Sequence, residues 1–475
     1  MNAYRHTIVA GLLAALAGWL SMPGCSTRDA DKPAKSASPA RPSGVPAAGP
    51  VRADLGRAMD DLDAIEDVCR DMAQTTSQDA AAMARLAVEQ KTIEGLTAKI
   101  RAREKAVVSG EASPRSPATA PAPTTLPPGV TRSGAVLTVS PGANLQEAVA
   151  SARSGDTVRL TAGLFPVDPR VSLAPADHVV IEGAGASTIV RVADGVGDFS
   201  GVFGGQGATL RGFTLRTMTI DLNPARYGGT PSGSNPACAV LAWRFDGVTV
   251  DRVDITYGSI VGINLNGPAR AARNAVVTGC NLKFVQVGAA GYDNAGVYVE
   301  CYTADVSHNT FAATTNFSSS AIELHGGPAR AVGNTISGYQ AGINLVHAAN
   351  GDPDSPGGDM TVRANVMRDV GYGVLLWSRE GDMLRNVAIE GNDIALGKRW
   401  RCGWVAGITV NHGGPEVSGM YDRVRVTGNT IRFEPGDTRS LDRGHSGGVN
   451  FNTTGIVINS TASGNTVVNL PPGLE

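Results

Sequence analysis

Val362-Arg-Ala-Asn-Val-Met367, Ile389-Glu-Gly-Asn-Asp-Ile394 and Val426-Thr-Gly-Asn-Thr-Ile431 write one pattern three times. An apolar residue is followed by a variable one, often a glycine, a central residue, a variable one and a second apolar residue. Val306–Phe311 and Ala462–Val467 repeat it. Working outward, the central position falls on Ala184, Phe213, Val253, Cys280, Asn309, Asn334, Asn365, Asn392, Asn429 and Asn465. The step between copies ranges from 25 residues (Asn309 to Asn334) to 40 (Phe213 to Val253). That variation excludes repeats of fixed length. It suits a solenoid whose coils share a constant core and differ in their corner loops.

The central position takes either asparagine or an apolar residue, which is what an inward corner accepts. Stacked asparagines hydrogen-bond from coil to coil, and apolar residues in the same column pack. The asparagine run therefore reads as structural, neither catalytic nor metal-binding, and Cys280 reads as buried.

A second strand recurs between the first ones. It runs through Ala239–Trp243, Gly262–Asn266, Gly296–Glu300, Ala321–His325, Gly342–Val346, Gly373–Trp377, Gly407–Asn411 and Gly448–Asn452. Alternation with period two places Ile, Val and Leu inside and the other positions outside. Ahead of the array, Val136–Val139 reads as a strand. Asn144-Leu-Gln-Glu-Ala-Val149 reads as a short amphipathic helix capped by Asn144, and Ser154–Leu160 as a turn and strand. A lone helix beside a repeat array predicts a cap over its open end.

These two motifs and the capping helix resemble the right-handed parallel β-helix, or pectin lyase-like, superfamily over about Ala135–Glu475. The resemblance implies an all-β solenoid of about ten coils. It is specific for fold and weak for function, since the superfamily holds polysaccharide lyases, glycoside hydrolases, uronate epimerases, phage tailspikes and noncatalytic surface proteins. The Gly-His-Gly and Asn-Thr-Asp signatures of the polygalacturonase-like hydrolases are absent, and Gly444-His445-Ser446 only approximates the first.

Composition agrees. Aromatics are 5% of 475 residues and glycines number 59, as in a chain of short strands and tight corners. A net charge of −2 gives no support to nucleic-acid binding. The N-terminus reads as an export signal. Arg5 and His6 precede an apolar run from Ile8 to Leu20, too short to span a bilayer as a helix. Met22-Pro23-Gly24-Cys25 resembles the bacterial lipoprotein cleavage box and departs from it at Met22 and Pro23. It implies lipidation at Cys25 and a membrane anchor in the cell envelope; a plain secreted signal is the alternative. Residues 26–50 read as a linker. Residues 51–108 form a helical, coiled-coil-like segment, with Leu55, Leu62, Cys69 and then Leu86, Ile93, Ile100, Val107 at heptad spacing. This seam is a candidate for self-association. Residues 109–133 form a second linker, and the β-helix domain is expected over 134–475.

The outward positions of the second strand carry the functional expectation. One column reads Trp243, Asn266, Glu300, His325, Val346, Trp377, Asn411, Asn452, and its neighbour Leu241, Asn264, Tyr298, Glu323, Asn344, Leu375, Thr409, Asn450. Asn, Trp, Tyr, Glu and His are the types that hydrogen-bond to sugars and stack on them. A polysaccharide, possibly anionic, is the expected partner, and a polar ladder with incidental aromatics is the bland alternative. Trp243, Asn266, Asn344, His347, Trp377, Asn411 and His412 are candidate binding residues. A lyase or epimerase would use His325 or Tyr298 as base, with Arg379, or Lys398 and Arg399, as a cation on the uronate. A hydrolase would use Glu300 and Glu323, whose Cβ atoms should lie roughly 8 Å apart. Lyase or epimerase chemistry leads, with a noncatalytic glycan-binding β-helix as runner-up. Lys398-Arg399-Trp400-Arg401 would suit an anionic glycan or fold as a plain corner. Asp352, Asp354 and Asp359 could hold calcium, although they lack the spacing of known loops and a plain acidic turn is favoured.

Overall fold

A computed structural model describes residues 125–229, 236–258, 261–267, 271–285, 295–314, 320–347, 357–397, 405–410, 418–435, 447–451, 456–471 and 474. The export signal with Cys25, the 51–108 seam, Asp352, Asp354, residues 398–404, Asn411 and His412 lie outside them. Among the described residues no helix is long and apolar enough to cross a membrane.

The chain winds as a right-handed parallel β-helix. Among the described pairings only β1 (Val130–Ser133) with β2 (Val136–Val139) is antiparallel. Each later strand runs parallel to its counterpart one coil on, as β10 (Ala272–Thr278) does to β13 (Ala304–Ser307). The strands form three faces. Sheet A holds β9 (Val261–Asn266), β12 (Ala295–Glu300), β15 (Ser320–His325), β18 (Ala341–His347), the first part of β21 (Tyr372–Glu390), β23 (Ala406–Val410) and β26 (Gly447–Phe451). Sheet B includes β10, β13 and β16 (Ala329–Val332). Sheet C includes β14 (Thr310–Ala313) and β17 (Thr335–Ser337). The expected helix, α1 (Leu145–Ala150), is present. Asn144 caps it by accepting from the Glu147 N–H, and Leu145, Ala148 and Val149 are buried.

The corners explain the motifs. Between sheets B and C the residue before the central position is left-handed: φ is 67° at Gly333, and 58° and 54° at His308 and Ala364, where no glycine stands. The asparagine that follows points inward. Asn334 Nδ2 donates to Asn365 Oδ1 at 2.9 Å, Asn365 to Asn392 at 2.9 Å and Asn392 to Asn429 at 2.9 Å. Each backbone N–H also donates to the next side-chain oxygen, as Asn365 N does to Asn392 at 3.0 Å. The ladder ends upstream where Asn309 Oδ1 accepts from Cys280 N. Cys280 is buried, and burial pushes its thiol up to about 12.

Two early members of the column differ from expectation. Val253 pairs with Met218, while Phe213 pairs with Val248 on sheet B, so Met218 holds the corner. Both chain segments fit the apolar pattern, and only the pairing separates them. Ala184 is exposed, and Thr188 fills its place. Its hydroxyl accepts from Ala184 N at 2.9 Å and donates to Thr161 O at 3.0 Å, doing for one coil what the asparagines do later.

Between sheets C and A the glycine that opens most second strands is a matter of space. A Cβ on Gly296 would meet Ala321 O at 2.6 Å and Phe311 Cδ1 at 2.8 Å, and one on Gly373 would meet Gly407 O at 2.4 Å. Inside, Val297, Ile322, Ile343, Val374 and Ile408 stack in register and are fully buried. Tyr257 and Tyr339 share a buried hydroxyl–hydroxyl bond of 2.9 Å.

Candidate functional site

Strand pairing fixes which outward side chains are neighbours. One row of sheet A runs Leu241, Asn264, Tyr298, Glu323, Asn344, Leu375, Thr409, Asn450. The next runs Asn266, Glu300, His325, Val346, Trp377. Trp243 follows Ala242, which pairs with Leu265, so it continues this second row. These are the columns expected from period-two alternation. The face is less open than alternation alone predicts: Glu323 is 3% exposed and His325 8%, while Leu375, Val346, His347 and Thr409 are also buried.

At the centre, His325 Nε2 lies 2.7 Å from Glu323 Oε1, two residues back on the same strand. The other Glu323 oxygen accepts from Ser320 Oγ at 3.4 Å. Tyr298 donates to Glu300 Oε2 at 3.4 Å, and its ring lies 4.7 Å from that of His325. On the other side the Trp377 ring stands edge-on to His325, 6.5 Å away at 84°. The imidazole is thus held on a carboxylate between two aromatic rings. With the Nε2 proton given to Glu323, Nδ1 is the proton-accepting nitrogen; it is shielded from solvent and has no hydrogen-bond partner within the protein.

His347 ends β18 and pairs with Ser378. Burial lowers its pKa below 6.5; Asp382 opposes this, and Arg385 and His325 add to it. A Cβ on Gly357 would lie 2.3 Å from the His347 ring, so only glycine leaves the imidazole its place.

The structure therefore brings Tyr298, Glu300, Glu323, His325, Trp377 and His347 together, with Asn344 on the adjacent coil. Trp243 stands apart, 44% exposed, three coil steps before His325, so roughly 14 Å away. Arg379 continues β21 beyond Ser378, and its side chain lies outside the described residues. Ser320, Ser378, Asp382 and Arg385 were missed. Ser320 carries no pattern of its own. The other three lie where β21 passes from sheet A into sheet B in one strand, with no loop to mark the corner.

Among the described residues no group of His, Cys, Asp and Glu is placed to hold a metal ion. The grouping can orient a base, hold a carboxyl beside a phenol and pack an apolar ring face.

No family model matches the chain, and no curated sequence does. Solved structures do match. A tailspike variant of the E. coli bacteriophage HK620 aligns with a TM-score of 0.51 at 18% identity, over 71% of this chain and 56% of that one. A second variant of that tailspike, in complex with a pentasaccharide, gives 0.51, 18%, 71% and 57%. A polygalacturonase from Erwinia carotovora subsp. carotovora gives 0.26 at 10% identity, over 72% of this chain and 96% of that one. The chain thus spans little over half the length of the tailspikes it matches. What the two tailspike likenesses establish is the fold: the chain is a right-handed parallel β-helix protein.

Proposed function

We propose that the outward face of sheet A is a polysaccharide-cleaving site with Glu300, Glu323 and His325 as its proton-transfer groups. The observation that carries this reading is the 2.7 Å pair of His325 with Glu323, with His325 directly opposite Glu300 on the preceding coil. Hydrolysis is the chemistry it supports best. Uncovered by a movement of the side chains around it, His325 Nδ1 takes a proton from the attacking water, and Glu323 beside it stabilises the imidazolium that forms. Glu300 gives its proton to the leaving glycosidic oxygen as the C–O bond breaks and the water oxygen bonds to the anomeric carbon. Glu300 is paired with His325 on the neighbouring coil, roughly 4.8 Å away along the axis, so acid and base stand side by side on one face. The pentasaccharide bound to a tailspike of the same fold is consistent with a glycan partner.

Elimination or epimerisation of a uronate is the second reading, favoured by the same Nδ1, which could instead remove the proton beside the carboxylate. It needs a cation on that carboxylate. Arg379, Lys398 and Arg399 are its candidates. Export and lipidation at Cys25 belong to this proposal too: a β-helix tethered in the envelope would meet polymers there, with residues 51–108 as a self-association surface.

Incubating the purified chain with a glycan panel tests the reading. New reducing ends without absorbance from unsaturated uronates indicate hydrolysis, and absorbance indicates elimination. Binding without either product, unchanged in His325→Ala, would leave a noncatalytic glycan-binding protein.

A further inference from the structure

We infer that Arg385 forms an anion subsite at the corner between sheets A and B, so that the glycan held on sheet A carries a carboxylate or sulfate on the sugar lying against Trp377; this rests on the reading of sheet A as the glycan site. The corner is built from glycines. Gly326 and Gly327 follow His325, and Gly357 and Gly358 stand one coil on. Having no side chains, they leave their ground to residues of the coils around them. The His347 ring lies on Gly357, and the stem of Arg385 lies on Gly358, where a Cβ would meet its Cγ at 2.8 Å. Arg385 belongs to the coil of Trp377, so its stem leans back over the preceding coil, as the edge of Trp377 does toward His325. Arg385 and His325 are both close enough to His347 to press its pKa down.

Charge pairing leaves Arg385 to the outside. Arg330 is tied to Asp305 at 2.5 Å, and Arg425 to Glu390. Arg385 is exposed and has no carboxylate at ion-pair distance among the described residues. Asp422, opposite it on the next coil, is held by Arg423 at 3.1 Å and by Asn459 at 2.9 Å. Asp359, beside Gly358, is held by Asn386 at 2.9 Å. Asp382 also lies near His347 and sets its charge against that of Arg385 there. The dyad opposes an anion little. Glu300 is protonated in the proposed hydrolysis, and Glu323 faces His325 two coils back from Arg385, roughly 10 Å along the axis. An exposed guanidinium presents N–H donors in a fixed fork, which the paired oxygens of a carboxylate or sulfate accept.

Calorimetry with the full chain tests this on charged glycans and their uncharged counterparts: polygalacturonate and alginate oligosaccharides against their carboxyl-reduced forms, and dextran sulfate against dextran. In a pair that binds, the charged member should bind about tenfold tighter, and its affinity should fall about threefold as salt rises from about 50 to about 500 mM. Preference within the first two pairs identifies a uronate, and preference within the third a sulfate ester. Arg385→Gln should bring the charged member to within about twofold of its counterpart, and Asp382→Asn should widen the preference. Equal binding within every pair, no binding by any charged member, or a preference that survives Arg385→Gln would overturn the inference and leave the reading of sheet A standing. Failure of that reading has a different signature: Trp377→Ala would bind both members of a pair as wild type does, which places the glycan elsewhere and overturns the inference with it.

Discussion

The rings of Tyr298 and His325 stack 4.7 Å apart across successive coils, although Tyr298 is paired with Glu323 and His325 with Glu300. The contact is diagonal, and the Tyr298 hydroxyl reaches Glu300 from the same ring. One phenol thus links both halves of the proposed chemistry. Tyr298→Phe should keep the ring contact and lose the hydrogen bond to Glu300, so turnover should fall while glycan affinity changes little. Initial rates and calorimetric affinity check this, and a wild-type rate in Tyr298→Phe would separate the phenol from the chemistry.

His325→Ala should lower turnover by about 10²–10⁴ while glycan affinity survives, because a general base contributes to rate. Trp377 is expected to act differently from a simple sugar platform. Its edge packs on His325, so Trp377→Ala should weaken binding and also lower the rate, by less than His325→Ala does. Calorimetric affinity and initial rates on the same glycan separate the two. Full rate in Trp377→Ala would show that the aromatic contact does not position the imidazole.

Asn365→Leu breaks the ladder on one side. Asn334 loses the oxygen to which both its backbone N–H and Nδ2 donate, whereas the N–H at position 365 still reaches Asn392. One unpaired buried group costs about 1–3 kcal/mol. Thermal or urea unfolding should register a loss of that size, and Asn465→Leu, at the half-buried end, a smaller one. Equal losses would show that burial does not set the size of the effect, and no loss in Asn365→Leu would contradict the ladder.

The pKa of His347 is lowered in the folded chain, with burial as the main cause. The unfolded chain takes up its proton near pH 6.5 and the folded chain only at lower pH. His347 therefore costs no stability above pH 6.5 and destabilises progressively as pH falls below it. Unfolding midpoints at pH 7.5 and 5.5, compared with those of His347→Gln, should show the wild type losing more on acidification. An imidazole proton resonance from His347 titrating above 6.5 would contradict this.

Much of this was legible beforehand. The outward rows follow from alternation alone, because a one-residue slip would put Ile343 and Leu345 in water. The asparagine column was readable because an amide stack has one repeated chemistry. The apolar start of the column was not: Phe213 and Met218 both satisfy the pattern, and pairing with Val253 decides for Met218. The central cluster was legible as a set of neighbours on one face, not as contacts. That Glu323 holds His325 while Tyr298 holds Glu300 depends on rotamers, and no spacing encodes it.

The direction of the asparagine ladder has one more consequence. Each side-chain amide donates to the oxygen of the following coil and to a carbonyl of the preceding one, and each side-chain oxygen receives from the preceding coil. The joint between any two of these turns is consequently the same joint. A whole turn from the asparagine stretch could be duplicated or excised by recombination and the cut ends would still match, while a change of a few residues at a corner alters only the loop. Length in this molecule is inheritable in units of a turn, and the outward face can lengthen without being redesigned.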